Sequence, residues 1–288
     1  MMNYRDLRYL RVAVDNLDEA TRFACDIFGL QAGDRDDVRA MFRSDSRNYA
    51  LCLTTGGEGE AIALTVAREE DLVAVKDRLE SAGYAPRLLD ADESRTRQAK
   101  AVVAVAAPNG VTVEIVWRPL TSGWRYHGPR DAGITDFCAV QLACTDVAAN
   151  EAFFVKGLGL RVSDWAGDTA YLALDEAHHR IALYPSSRDG ILGAAFEVDL
   201  KESLMRNWYF LQKSQQPIVA GPDRQAASGA IYVTTRGPRG LLMSYMTGME
   251  KGTQIEARGP RQFANTALSH GMWGSVTEQP EFLGGDAR

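Results

Sequence analysis

Histidine and cysteine are scarce in this chain, with four of each among 288 residues. Cys25, Cys52, Cys138 and Cys144 form no Cys-x-x-Cys pair and no dense framework. That excludes a zinc ribbon or a disulfide-stapled scaffold and reads as reduced, buried thiols of a cytoplasmic protein. No apolar run approaches the ~18–20 residues of a membrane-spanning helix. Charges break up the apolar opening "MMNYRDLRYLRVAVDN", so no signal peptide is expected. The 32 Lys and Arg are outnumbered by 38 Asp and Glu, and the basic residues are scattered, which speaks against a nucleic-acid surface. What remains, 45% hydrophobic and 24% charged, suits a globular protein with ample core.

The chain repeats itself. "LRYLRVAVDNLDEATRFACDIFGL" near the start has a counterpart in "TDFCAVQLACTDVAANEAFFVKGLGL". Each reads as an alternating strand, an Asp (Asp15, Asp146) placed to cap a helix, and a helix with a Phe (Phe23, Phe153). Each ends in Gly-Leu, where Gly29 or Gly159 can take the left-handed conformation. "APNGVTVEIVWRP" and "RGPRGLLMSYM" match as a Pro-x-Gly turn followed by a strand. Further helices are expected in "AREEDLVAVKDRLESAGY" and "LKESLMRNWYFLQKSQQ". The implied fold class is α+β, with a βαβββ unit used four times, twice per half. The expected organisation is a module over 1–119, a Gly-rich linker over 120–133, a second module over 134–250, and a polar, Gly-rich tail over 251–288.

This pattern resembles the vicinal oxygen chelate (glyoxalase/bleomycin resistance/dioxygenase) superfamily. Its order of motifs is similar to the two-domain type I extradiol ring-cleavage dioxygenases: "MFRSDSRNYALCL", "AHHRIALYPS", "GPDRQAASGAIYVTTRGPRG" and the tail "GMWG" fall in sequence along nearly the whole chain. The resemblance implies that each module forms a cup-shaped mixed sheet with flanking helices, that the site lies in the second cup, and that the protein is a homo-oligomer. It also implies Fe(II) or Mn(II) held by two His and one carboxylate. By spacing, those three positions here are Ala139, Gly193 and Ser244, which lack the donors. The first half keeps Glu114 four residues after Gly110, where the second half has Ser244 after Gly240. The expectation is therefore no metal and no cofactor.

Other histidines do not fill the gap. His178 and His179, on a presumed strand, would point to opposite faces, while His127 falls in the linker and His270 in the tail. The resemblance makes His179 a non-ligand acid–base residue, with a core histidine as the alternative. Tyr232 matches a tyrosine that hydrogen-bonds substrate, though an aromatic on a strand is also ordinary core. Gln141 and Glu197 share faces with Ala139 and Gly193 and are candidate ligand contacts. Asp223 stands where the family has a histidine, and Met272 and Trp273 are placed to lid the cup.

Three readings follow. The first is a metal-independent acid–base enzyme acting on a small aromatic, phenolic or catechol-like compound, with His179 and Tyr232 catalytic. In that reading Gln141, Asp223, Ser244, Ala139, Gly193, Glu197 and Trp273 bind substrate. The second is a non-catalytic binding protein on the same fold, and the third an extradiol dioxygenase with a non-standard metal site.

Overall fold

A computed structural model describes residues 2–285; residues 286–288 of the expected tail lie outside them. The first half contains β1 (Tyr4–Ala13), α1 (Leu17–Arg22), β2 (Gln31–Arg35), β3 (Arg39–Arg43) and β4 (Leu51–Thr54). It continues with β5 (Ala61–Val66), α2 (Glu69–Ser81), β6 (Arg87–Leu88), α3 (Ala91–Thr96), β7 (Ala99–Ala106) and β8 (Thr112–Pro119). The second half repeats this with β9 (Ile134–Cys144), α4 (Val147–Ala152), β10 (Arg161–Ala166), β11 (Thr169–Ala173) and β12 (Ile181–Pro185). Then come β13 (Gly190–Val198), α5 (Lys201–Lys213), β14 (Ile218–Arg224), β15 (Ile231–Arg236) and β16 (Leu242–Thr247). The βαβββ unit thus occurs four times in this α+β fold. Past it lie α6 (Thr253–Arg258), β17 (Arg261–Phe263) and α7 (Ala267–His270).

Eight strands form the first sheet, in the order β2-β3-β4-β1-β5-β8-β7-β6. Nine form the second, β14-β15-β16-β13-β9-β12-β11-β10-β17. In both, the first strands of the two units pair antiparallel at the centre, β1 with β5 and β9 with β13. The seventeenth strand was not foreseen: β17, from the expected tail, pairs parallel with β10 and extends the second sheet.

The first helix of each half runs into a π-helical turn, Phe23–Phe28 and Phe153–Gly157, closed by a glycine at positive φ, Gly29 at 92° and Gly159 at 78°. Only glycine adopts that geometry without strain. The caps differ from expectation in one half. Asp146 caps α4, but α1 is capped by Asn16 rather than Asp15, its side chain accepting from the amides of Asp18 and Glu19. Either residue type can cap; the one in extended backbone at the boundary does so.

One apolar core joins the halves. Phe28 stacks on Tyr245 at 4.3 Å, and the Tyr245 hydroxyl donates to the Phe28 carbonyl at 2.7 Å. Tyr4 donates to the Leu158 carbonyl at 2.8 Å. Asn109, in the first Pro-x-Gly turn, donates to the Ala143 carbonyl at 3.2 Å. No helix among the described residues is long and apolar enough to cross a membrane.

Candidate functional site

The concave face of the second sheet is floored by small residues and walled by tyrosines. Ala139, Ala143, Ala182, Ala195, Ala220, Ala227 and Ala230 pack together with Tyr171, Tyr184 and Tyr232. Register explains the floor. Ala139 pairs with Ala195 across β9 and β13, and Ala195 with Ser244 across β13 and β16. One row along, Gln141 pairs with Gly193 on one side and with Ala182 on the other.

The three positions of the resemblance's metal site therefore do come together, but their chemistry does not fit a metal. Ala139 and Gly193 have no donor. The Ser244 hydroxyl is taken by Thr234 at 2.8 Å. Among the described residues, no group of three or more His, Cys, Asp or Glu is placed to hold a metal ion. Nor is the space over Gly193 empty. A Cβ there would stand 2.6 Å from Gln141 Oε1 and 2.6 Å from the Leu242 carbonyl oxygen. The Gln141 side chain lies where a larger residue at 193 would go.

Gln141, Ser244 and Tyr232 line a closed cavity with Thr234, Met246, Tyr184 and Gln225. His270 and Phe282, from the C-terminal segment, complete it. Its volume is about 10 Å³, room for one water at most. The cup is thus filled mainly by its own side chains. Two polar atoms in it, Gln141 Oε1 and His270 Nδ1, have no hydrogen-bond partner among the described residues. Burial pushes His270 down from 6.5 to about 4, so it is neutral at physiological pH.

The histidine pair departs from the alternating-strand picture. His178 and His179 precede β12 in an irregular segment, so they are not forced to opposite faces. Their Nδ1 atoms are 3.1 Å apart, and both residues are buried. His178 Nε2 lies 2.8 Å from Asp164 Oδ2 on β10. A carboxylate only accepts, so that nitrogen carries a proton. Asp164 also accepts from Arg258 at 2.9 and 3.0 Å, from the Arg261 amide at 2.6 Å and from the Arg261 guanidinium at 2.7 Å. Burial alone would raise the Asp164 carboxyl; its bonds to His178, Arg261 and Arg258 outweigh that and hold it well below the usual range. Burial, reinforced by His178 and Arg180, pushes His179 well below 6.5, so its ring is neutral. The His179 ring lies 4.9 Å from that of Tyr171. The result is a hydrogen-bonded chain, Asp164–His178–His179, that ends at Tyr171; neither His179 nor Tyr171 lines the closed cavity.

Other candidate residues lie elsewhere. The Glu197 carboxylate meets Lys251 at 2.8 Å and does not line the cavity. Asp223 is wholly buried but occupied by the chain itself, accepting from the amides of Arg224, Trp273 and Ser275 at 2.7–2.8 Å. It pins the Gly-Met-Trp-Gly turn, where Gly271 has no room for a Cβ beside the carboxylate. Tyr232 donates to the His270 carbonyl at 3.2 Å. Trp273 is 57% exposed and Met272 51%, so the covering residues are His270 and Phe282 in their place. Asp164, Tyr171, Tyr184 and Gln225 had no sequence signal beyond their type.

Comparison with known proteins agrees with this architecture. The model of the Glyoxalase/Bleomycin resistance protein/Dioxygenase superfamily matches residues 136–245. That match covers most of the second half of the chain. It is 28% identical over 176 residues to a 1,2-dihydroxynaphthalene dioxygenase of Pseudomonas sp. (strain C18), covering 58% of this chain and 56% of that relative. The match thus spans little more than half the relative's length. A biphenyl-2,3-diol 1,2-dioxygenase of Paraburkholderia xenovorans (strain LB400) is 26% identical over 278 residues, 88% of this chain and 87% of the relative. The crystal structure of a halotolerant catechol dioxygenase superposes with a TM-score of 0.87 at 17% identity, covering 98% of this chain and 97% of that one. The last likeness is one of fold.

Proposed function

We propose that this chain is a member of that superfamily which binds a small aromatic, phenol- or catechol-like compound in its second cup and moves a proton on it without a metal. The observation that carries this reading is the buried chain Asp164–His178–His179 ending beside Tyr171. The neutral His179 ring has a lone pair that can accept a proton, though burial weakens it as a base, and a proton it takes up can be shared with His178, which faces a carboxylate. The aromatic class is supported by relatives named for dihydroxynaphthalene and biphenyl-diol. Tyr232, Gln141 and Ser244 would orient the compound, and Ala139 and Ala195 would give its ring a flat floor. Because the closed cavity is only about 10 Å³, entry requires the segment bearing His270 and Phe282 to move aside.

That same filled cavity favours a second reading, a non-catalytic binding protein on this fold. The two are separated by titrating wild type and His179→Ala with catechol and 2,3-dihydroxybiphenyl, and by following solvent deuterium into the ring positions of the bound compound by NMR. Binding by both proteins with exchange only in the wild type supports the proton-transfer reading. Equal binding without exchange leaves the binding protein, and no binding by either overturns both. The chain is further read as a cytoplasmic homo-oligomer; the exposed Leu268, Met272, Trp273 and Val276 offer an apolar contact surface for that assembly.

A further inference from the structure

A second concavity, apart from the cup, is lined mainly by charged and polar residues. It is a cleft of about 700 Å³ between the halves, walled by β1 (Arg5, Asp6, Arg8), the end of β8 (Arg118), the loop bearing Arg47, and the start of β9 (Asp136). Its charges are unevenly matched. Arg47 is fully engaged, its Nη1 meeting Asp45 at 2.5 Å and Asp136 at 2.7 Å. The second oxygen of Asp136 goes to Arg180 at 3.1 Å.

Arg8 is only 6% exposed, yet its nearest carboxylate, Asp6, is 3.9 Å away, and its one hydrogen bond goes to the Leu120 carbonyl. Arg5 and Arg118, also lining the cleft, make no ion pair among the described residues. A buried hydroxyl of the lining, Thr65 Oγ1, has no hydrogen-bond partner among the described residues. Buried polar groups are normally satisfied, and a buried cation without a close carboxylate is costly. A guanidinium's forked donors match the oxygens of a carboxylate or a phosphoryl group. The three arginines come from the first half, and the second half closes the cleft with Thr135 and Asp136.

We propose that this cleft is a binding site for a small oxyanion, whose carboxylate or phosphoryl group is held by Arg8 from the wall and by Arg5 and Arg118 from the rim. The site is independent of the proton-transfer reading of the cup. Calorimetric titration of the full chain at low ionic strength tests it, with pyrophosphate as the phosphoryl probe and citrate as the carboxylate probe. Saturable one-to-one binding of at least one probe is expected, and the probe that binds names the group. The Arg5→Ala/Arg118→Ala variant changes two residues outside the core and should keep the wild-type circular dichroism. Its affinity should fall by roughly tenfold or more, the worth of a lost charge-assisted contact. Arg8→Lys should weaken binding less than Arg8→Met. Absence of saturable binding of both probes, or wild-type affinity in the rim variant, overturns the proposal.

Discussion

The Nδ1 atoms of His178 and His179 lie 3.1 Å apart, and their rings meet at 89°. Two sequence neighbours can do this only off a strand, where their side chains need not alternate. The contact makes one unit of Asp164, His178 and His179, and it ties the cup to the C-terminal segment, because Asp164 also receives Arg258 and Arg261. One carboxylate therefore orders the histidines and anchors the segment that closes the cavity.

Asp164→Asn should accordingly act in two places. It leaves two arginines and His178 facing a neutral amide, and breaking a buried ionic cluster costs about 3–5 kcal/mol. Urea unfolding should show a loss of that order. Hydrogen exchange should show residues 258–283 losing protection ahead of the sheet. Protection lost uniformly over the chain would mean that Asp164 does not hold the segment.

Much of the fold is written in the repeat. Pro108-Asn109-Gly110 and Pro238-Arg239-Gly240, with Gly110 and Gly240 at φ near 80°, mark equivalent turns before β8 and β16. Gly29 and Gly159 close equivalent π-helical turns. These are local constraints, and local constraints show in sequence. The site is different. Asp164 and Arg261 are separated by 97 residues, and Tyr184 meets Phe282 from the opposite end of the second half. No periodicity encodes such returns, so His270 and Phe282 read as part of a polar tail. The histidine pair was misplaced because an irregular segment, not a strand, carries it, and Glu197 because Lys251, from past the last strand of the second half, takes its carboxylate.

Gly193→Ala should be poorly tolerated. Its Cβ would press on Gln141 Oε1, which can swing, and on the Leu242 carbonyl, which belongs to the paired strand β16 and cannot. Overpacking of this kind costs about 1–3 kcal/mol. Adding Gln141→Ala should recover only part of the loss in thermal unfolding. Full recovery would place the whole conflict in the side chain.

Acid should loosen the protein in a defined window. His270 is depressed from 6.5 to about 4, and His179 lies well below 6.5 as well. The unfolded chain then binds protons that the folded chain refuses, so the stability these residues contribute is complete above about pH 6.5 and drains away as pH falls toward 4. For His270 the amount is on the order of 3 kcal/mol. The Asp164 contribution has the same sign but is lost only at more acidic pH, below its ordinary 3.8. Chemical unfolding at a series of pH values should show a flatter profile for His270→Gln than for wild type between pH 6.5 and 4. Identical slopes would mean that His270 titrates normally and is not sealed in the cavity.

Phe282→Ala tests whether the closed cup is held shut by this one ring. Phe282 is 5% exposed and packs on Tyr184 with ring centroids 5.5 Å apart. Its removal should cost about 3–5 kcal/mol, as large-to-small changes in a core do, because the wall cannot collapse fully onto the gap. The gap opens directly onto the cavity that Gln141, Tyr232 and Ser244 line, and it is close to a phenol ring in size and shape. In the wild type, a compound entering the cup must first displace the segment, so its apparent affinity is reduced by the small fraction of open molecules. In the variant that displacement is unnecessary. Phenol and catechol should therefore bind Phe282→Ala more tightly than wild type, by roughly tenfold or more if removing the ring spares at least 1.4 kcal/mol of opening. They should also raise its melting temperature in proportion to the logarithm of ligand concentration. Phe282→Trp, which keeps the cavity filled, should show no such gain. Equal affinity in wild type and Phe282→Ala would mean that the compound enters by another route, and the segment carrying His270 and Phe282 would then be a fixed wall of the cup.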